Sequence, residues 1–113
     1  MIIDNGGVVF LLKNNDEIIG SYALIPIGNN NCKLSKFNVE YSFRGMGLGS
    51  MLLKHALQTA KSKGCEKTFL YSHENLKEAS SLYKKFGFKI TEPPPQMTDP
   101  TGRCSFVMSI NNQ

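Results

Sequence analysis

No stretch of this chain approaches the roughly 20 consecutive apolar residues that a membrane-spanning helix needs, which excludes helical membrane proteins. The opening residues Met1-Ile2-Ile3-Asp4-Asn5-Gly6 carry neither a basic n-region nor an apolar h-region, so they do not read as a secretory signal. Cysteine is scarce: Cys32, Cys65 and Cys104 are odd in number, widely spaced and without a C-x-x-C pair. That usage argues against a disulfide framework or a zinc site and suits a reducing, cytoplasmic compartment. His55 has no ligand partner at i+4, where Thr59 stands, so it is assigned no role and no metal is expected. There is also no run of one charge. The formal charge is +4, but the lysines gather only loosely, as Lys61/Lys63/Lys67 and Lys84/Lys85/Lys89. They read as solvated helix faces that also steer a polyanionic ligand. A nucleic-acid surface would need a basic stripe with interleaved aromatics, and none is visible.

What is present is a loop. In Arg44-Gly45-Met46-Gly47-Leu48-Gly49-Ser50, three alternate glycines follow an arginine and lead into an amphipathic helix. Glycine lets the main chain turn through positive φ and approach a ligand closely, so that successive N–H groups converge on phosphate oxygens. The helix start adds unpaired N–H groups and the positive end of a dipole. Arg44 supplies a planar, permanently charged donor, and Ser50 a hydroxyl. Two nucleotide motifs fail here. The Walker pattern needs a lysine after its last glycine, and Gly49 is followed by Ser50 and Met51; counting G-x-G-x-x-G from Gly47 places Leu52 at the third glycine.

At 113 residues and 41% hydrophobic, the chain supports one core, hence a single domain over 1–113. Val8 to Lys13 and Ile18 to Ile27 read as a hairpin, and Gly28-Asn29-Asn30-Asn31 as a second turn. A third strand runs from about Cys32 to Tyr41, with Leu34, Lys36 and Asn38 alternating against Ser35, Phe37 and Val39. Leu48, Leu52, Leu53, Ala56, Leu57 and Ala60 recur at helical spacing and Gly64 is a plausible stop. Thr68 to Tyr71 reads as a strand, making a β-α-β unit with a parallel, right-handed crossover. Leu76, Ala79, Leu82, Tyr83 and Phe86 share one face of a second helix that Gly87 ends; Asn75 stands before it as a favoured N-cap. Phe88 to Thr91, a loop holding Pro93-Pro94-Pro95, and a strand from about Cys104 to Ile110 follow. The order βββ-α-β-α-ββ is α+β with a mixed sheet.

Arg44, Gly47 and Gly49, between a strand and a helix, fit R-x-x-G-x-G. Here the chain resembles the GNAT superfamily of N-acetyltransferases, whose pyrophosphate loop reads Q/R-x-x-G-x-G/A. Further on, Asn75-Leu76-Lys77-Glu78-Ala79-Ser80-Ser81-Leu82-Tyr83-Lys84-Lys85-Phe86-Gly87-Phe88 resembles the family's second signature, an asparagine ahead of a helix that carries the tyrosine and ends in Gly-Phe. The resemblance spans residues 34 to 88. It implies acetyl-CoA as cosubstrate and an amine as acceptor, with direct attack on the thioester in a ternary complex. It implies that the amides of Gly45, Met46, Gly47, Leu48, Gly49 and Ser50, with Arg44, hold pyrophosphate. It further implies two strands that splay into a slot, where Phe37 and Val39 offer main-chain groups to the pantetheine arm. The same resemblance implies that Asn75 helps to hold the cofactor and that Tyr83 serves the departing thiolate, whereas periodicity alone favours Tyr83 as a core residue.

Two departures from the family stand out. Where members often carry a glutamate before the leucine of the glycine-loop strand, this chain has Lys33, which leaves Glu40, His73 or a water chain to take the ammonium proton. Members also begin with a strand and one or two helices that wall the acceptor site, whereas this chain opens on what reads as the second strand. The acceptor side is then open to a large substrate, completed by another subunit in a homodimer, or lost, and a truncated piece of a longer protein reads the same. The alternative to an enzyme is a non-catalytic acyl-CoA-binding or regulatory module.

Overall fold

Residues 7–73, 75–94, 97 and 106–112 are described by a computed structural model of the chain. Among these residues six strands form one sheet in the order β1-β2-β3-β4-β6-β5. The elements are β1 (Val8–Asn14), β2 (Glu17–Gly28), β3 (Asn31–Val39), α1 (Leu48–Ser62), β4 (Lys67–Ser72), α2 (Lys77–Phe86), β5 (Lys89–Thr91) and β6 (Phe106–Asn111). This is the expected βββ-α-β-α-ββ order, with one 3₁₀ turn, Tyr41–Phe43, added after β3. The residues 1–6, Pro95 and Cys104 lie outside the described residues.

The two hairpins turn on asparagines. Asn15 has φ 58, and Asn29 and Asn30 have φ 55 and 61, so the pair between Gly28 and Asn31 makes a two-residue turn with positive φ at both central positions. Such turns match the right-handed twist of the strands they join, and asparagine tolerates the left-handed region best after glycine. β3 and β4 run parallel, as the α1 crossover requires, and their register covers only Asn31↔Lys67, Cys32↔Thr68 and Lys33↔Phe69. Beyond Phe69 they separate. β4 is completed on its other edge by β6, paired along its whole length from Lys67↔Asn111 to Ser72↔Phe106.

The alternation expected along β3 does not hold. Tyr22 of β2 faces both Lys36 and Phe37, because the register jumps between Ser21↔Asn38 and Ala23↔Ser35, and Lys36 sits at φ 53. This β-bulge adds one residue and reverses the parity of everything after it. Leu34 ahead of the bulge and Phe37 and Val39 beyond it therefore share the core, where the period alone sets them on opposite faces.

Both helices pack on that same face. Leu52, Leu53, Ala56 and Ala60 of α1 join Tyr22, Leu24, Leu34, Val39, Leu70 and Met108 in one buried cluster, which also takes in Tyr83 and Phe88. α2 meets the sheet through a buried bond between Ser72 and Ser80 hydroxyls, 2.8 Å, and meets α1 where Leu82 lies against Gly49. Each helix ends in a Schellman closure: Cys65 N–H donates to Ala60 and Phe88 N–H to Tyr83, around Gly64 at φ 82 and Gly87 at φ 105. Among the described residues no helix is long and apolar enough to cross a membrane.

Candidate functional site

The loop after β3 has the backbone of an anion cradle. Gly45 and Gly47 lie at φ 82 and 79, in the left-handed region where a side chain is strained, and a Cβ at either would meet no atom within 4 Å. Glycine is needed there for conformation and not for room. Gly47 serves as the N-cap of α1 and its carbonyl accepts the first helical bond, from Met51 N–H at 3.1 Å. The amides of Leu48, Gly49 and Ser50 therefore have no acceptor within the helix, and no side chain caps them. They point out of the helix at its positive end, where an anion is stabilised.

The cradle forms one end of a cavity of about 620 Å³ that continues along the end of β3 to the first turns of α2. Phe37, Asn38, Val39, Arg44, Gly45, Gly47, Gly49, Ser50, Asn75 and Tyr83 line it, together with Leu76, Lys77, Glu78, Ala79 and Leu82 of the α2 start. Nine of the expected cofactor residues thus meet in one cavity. The other two do not line it: Met46 is two-thirds exposed and Leu48, the first residue of α1, packs against the core. The orientation of Val39 follows from its neighbour. Glu40 N–H donates to Ile19 of β2 at 2.7 Å, and in a strand successive residues face opposite ways, so the Val39 main chain faces away from β2 into the slot. Its carbonyl is taken by Arg44, whose Nε donates at 3.0 Å while the guanidinium lies over the Tyr41 ring. The four Nη hydrogens of Arg44 remain available to a second acceptor.

Tyr83 closes the cavity from the α2 side. It is 7% exposed, edge-on to Phe37 with centroids 6.0 Å apart and tilted against Phe88 at 5.6 Å. Among the described residues its hydroxyl has no hydrogen-bond partner, yet it is not sealed away from solvent. Burial pushes the phenol up to about 12, so it is a donor throughout the neutral range.

The remaining candidates sit at the margins. Asn75 lines the cavity but does not cap α2: the N-cap is Leu76, without a side-chain bond, because the helix begins one residue later than an Asn75 cap requires. Asn75 N–H donates to His73 Nδ1 at 3.0 Å. Neutral His73 therefore carries its proton on Nε2 and has no free basic nitrogen while that bond lasts. Glu40 is exposed, accepts a 3.4 Å bond from Ser42 and stands beside the cavity without lining it. Lys33 lies over the Tyr71 ring at 5.2 Å, outside the cavity. His55, without a role in the sequence, has a structural one: its Nδ1 is 2.7 Å from the Tyr22 hydroxyl, and its ring packs on Phe10. Lys77 was missed as a site residue although it lies inside the second signature; a cation in the first turn of a helix, where its charge opposes the dipole, was the available signal.

Sequence comparison supplies the family. Residues 1–88 match the acetyltransferase (GNAT) family, and the chain belongs to that family. It is 36% identical over 89 residues to an uncharacterized N-acetyltransferase of Schizosaccharomyces pombe, covering 77% of this chain and 55% of that protein. A second relative, an uncharacterized N-acetyltransferase of Escherichia coli, is 28% identical over 87 residues, 74% of this chain and 52% of the relative. The chain thus spans about half the length of the curated relatives it matches. A GNAT-family acetyltransferase of Staphylococcus aureus has the same fold, with TM-score 0.90 at 22% identity over 99% of this chain and 72% of its own. One from Elizabethkingia anophelis, solved with acetyl-CoA bound, gives TM-score 0.76 at 27% identity, covering 93% of this chain and 76% of its own.

Proposed function

We propose that the chain is a single acetyltransferase domain over 1–113 that moves the acetyl group of acetyl-CoA to a primary amine by direct attack within a ternary complex. The observation that carries this reading is the continuous cavity joining an anion cradle, a splayed strand edge and one buried tyrosine. The Elizabethkingia relative binds acetyl-CoA on the same fold, which supports the choice of donor.

In this reading the free amides from Gly45 to Ser50 and the Nη edge of Arg44 hold the pyrophosphate, with Lys77 adding charge from α2. Phe37 and Val39 flank the pantetheine arm and Asn75 helps to place it. The thioester then lies toward Tyr83. Attack by the amine builds negative charge on sulfur as the C–S bond breaks, and a neutral phenol in a poorly hydrated wall offers the proton that sulfur needs. The attacking ammonium must first lose its own proton. His73 spends its Nδ1 lone pair on Asn75, whereas the Glu40 carboxylate keeps acceptor capacity, so Glu40 receives that proton through water. The cytoplasm is the proposed compartment, and a homodimer the state in which a second copy walls the acceptor side.

The test is thiol release from acetyl-CoA with a panel of amines. Tyr83→Phe is expected to lower kcat by about a hundredfold, the low end for a general acid, with CoA affinity within about twofold. Equal turnover in that variant would remove Tyr83 from the chemistry. CoA binding without turnover on any amine would identify a binding module instead.

A further inference from the structure

The far end of the sheet holds two thiols that the acetyl transfer does not use. Cys32 lies near the start of β3, about 23 Å of extended chain from Val39 and the cradle. It is 1% exposed, on the helix-facing side, with Sγ 3.5 Å from Thr68 Oγ1. Cys65 is half-buried and follows Gly64, and its N–H bond to Ala60 folds it back beneath the last turn of α1. One side chain ties both positions together: Asn112 Nδ2 donates to the Cys65 carbonyl at 3.3 Å and to Thr68 Oγ1 at 2.7 Å. Thr68 Oγ1, which accepts from that amide, is the same atom that faces the Cys32 thiol, so Asn112 and Thr68 bridge the Cys65 carbonyl to Cys32 Sγ. Both cysteines line a second cavity of about 370 Å³, Cys32 from its floor and Cys65 with part of its surface exposed, together with Lys63 and the asparagine turn.

We propose that Cys32 and Cys65 form a thiol-modification site, in which Cys65 captures a low-molecular-weight disulfide from the cavity and Cys32 then closes an intramolecular disulfide. In the first step the Cys65 thiolate attacks one sulfur of R–S–S–R. That S–S bond breaks, and the departing RS⁻ takes up the proton Cys65 gave to solvent. In the second, the Cys32 thiolate attacks Cys65 Sγ, the Cys32–Cys65 bond forms, and the second RS⁻ leaves and is protonated. Two protein thiols lose two electrons and the small disulfide is reduced to two thiols.

Access assigns the order, since only Cys65 is reachable from the cavity mouth. Lys63 adds a positive charge there, which favours an anionic disulfide such as glutathione disulfide. The second step is the slow one. Burial pushes the Cys32 thiol up to about 12, against a lowering bond from Thr68, and Cys65 raises it further by hydrogen bond and charge. The contributions of Cys65 vanish once its sulfur is in a mixed disulfide, which readies Cys32 to attack. Closure encloses β3, the cradle and α1 in one loop, so the oxidised form unfolds at higher temperature.

The full chain is incubated with glutathione disulfide, quenched by alkylation, and followed by intact mass and peptide mapping. The expected course is a transient glutathione adduct on Cys65 that gives way to a species two hydrogens lighter, with the Cys32 and Cys65 peptides joined. Closure should speed up roughly tenfold per pH unit above neutrality. Cys65→Ser should show neither product at this site, and Cys32→Ala should stop at the adduct. If Cys32→Ala does not melt cooperatively, the half-exposed Cys65→Ser carries the comparison. A link that uses Cys104, or an adduct on Cys65 that persists in the unaltered chain, overturns the proposal.

Discussion

Gly47 and Gly49 are two residues apart, one the N-cap of α1 and the other in its first turn, yet replacing each by alanine should give opposite results. At Gly47 the added Cβ meets nothing within 4 Å, so the whole effect comes from holding an L-residue at φ 79. That conformation costs about 1–2 kcal/mol. The protein can keep the loop and lose that stability, a fall in Tm of about 4–8 °C per kcal/mol for a domain near this size. Otherwise the loop leaves the left-handed region, the amides of Leu48, Gly49 and Ser50 are re-aimed, and CoA affinity falls about 5- to 30-fold. Gly49 is outside the left-handed region, and its Cβ would lie 3.4 Å from Leu82 Cδ2, the free end of a flexible side chain. Gly49→Ala should therefore leave affinity within about threefold and Tm within a few degrees. This difference accounts for the family pattern, which admits alanine at the second of these glycines only. Calorimetry with CoA and thermal unfolding of both variants decide the matter. Wild-type binding and melting in Gly47→Ala, or an equal loss in Gly49→Ala, would refute the conformational argument.

Arg44→Ala should weaken CoA binding by about tenfold or more, the range of a charged hydrogen bond. Arg44→Lys should recover little in calorimetry, since an ammonium cannot hold the Val39 carbonyl and a phosphate with two edges of one plane. Tyr22→Phe should cost about 1–2 kcal/mol in urea unfolding, because it breaks the bonds of a buried hydroxyl to His55 and Thr59, with CoA affinity unchanged. At alkaline pH the folded chain should lose stability. Cys32 and Tyr83 normally titrate at 9.0 and 10.0, but burial in the fold pushes both up to about 12. Between those limits the unfolded chain binds fewer protons than the folded one, so stability is full below pH 9 and falls as pH rises toward 12. Urea midpoints followed upward from about pH 8 should drop, with the part above pH 10 reduced in Tyr83→Phe; a flat profile would contradict the burial argument.

The sequence announces elements whose signal is local. Asparagines at positive φ marked the turns, and the 3.6-residue spacing of Leu52, Leu53, Ala56 and Ala60 marked α1. The cradle was legible because glycine at Gly45 and Gly47 is a backbone requirement, visible without partners. The bulge was not, since Lys36 is no turn former and its φ of 53 is imposed by pairing with β2. Without the bulge, the alternation of β3 put Leu34 and Val39 on opposite faces and gave no reason for Phe37 to meet Tyr83. The bond of Arg44 to Val39, the His55–Tyr22 contact and the nearness of Cys32 to Cys65 join residues that no periodicity links, and only folding brings them together.

The splayed slot also explains why Arg44 does not simply point at the cradle. Parting β3 from β4 beyond Phe69 leaves main-chain groups of β3 without a ladder partner, and a carbonyl kept from both water and partner costs free energy. Arg44 meets that need at Val39 with Nε and keeps its outer edge for an anion. One residue thus couples the strand edge to the glycine loop. Under the proposed function this coupling makes an empty slot tolerable and holds the guanidinium plane fixed before the cofactor arrives, so less rotamer freedom is lost on binding. It also constrains the pantetheine arm. The arm can pair with the Val39 N–H without displacing anything, but to use the carbonyl it must share it with Arg44 or dislodge it, and a dislodged Arg44 would loosen the pyrophosphate it helps to hold. A bound state in which Nε stays on Val39 is therefore favoured, and the arm would take its second main-chain partner elsewhere along the slot.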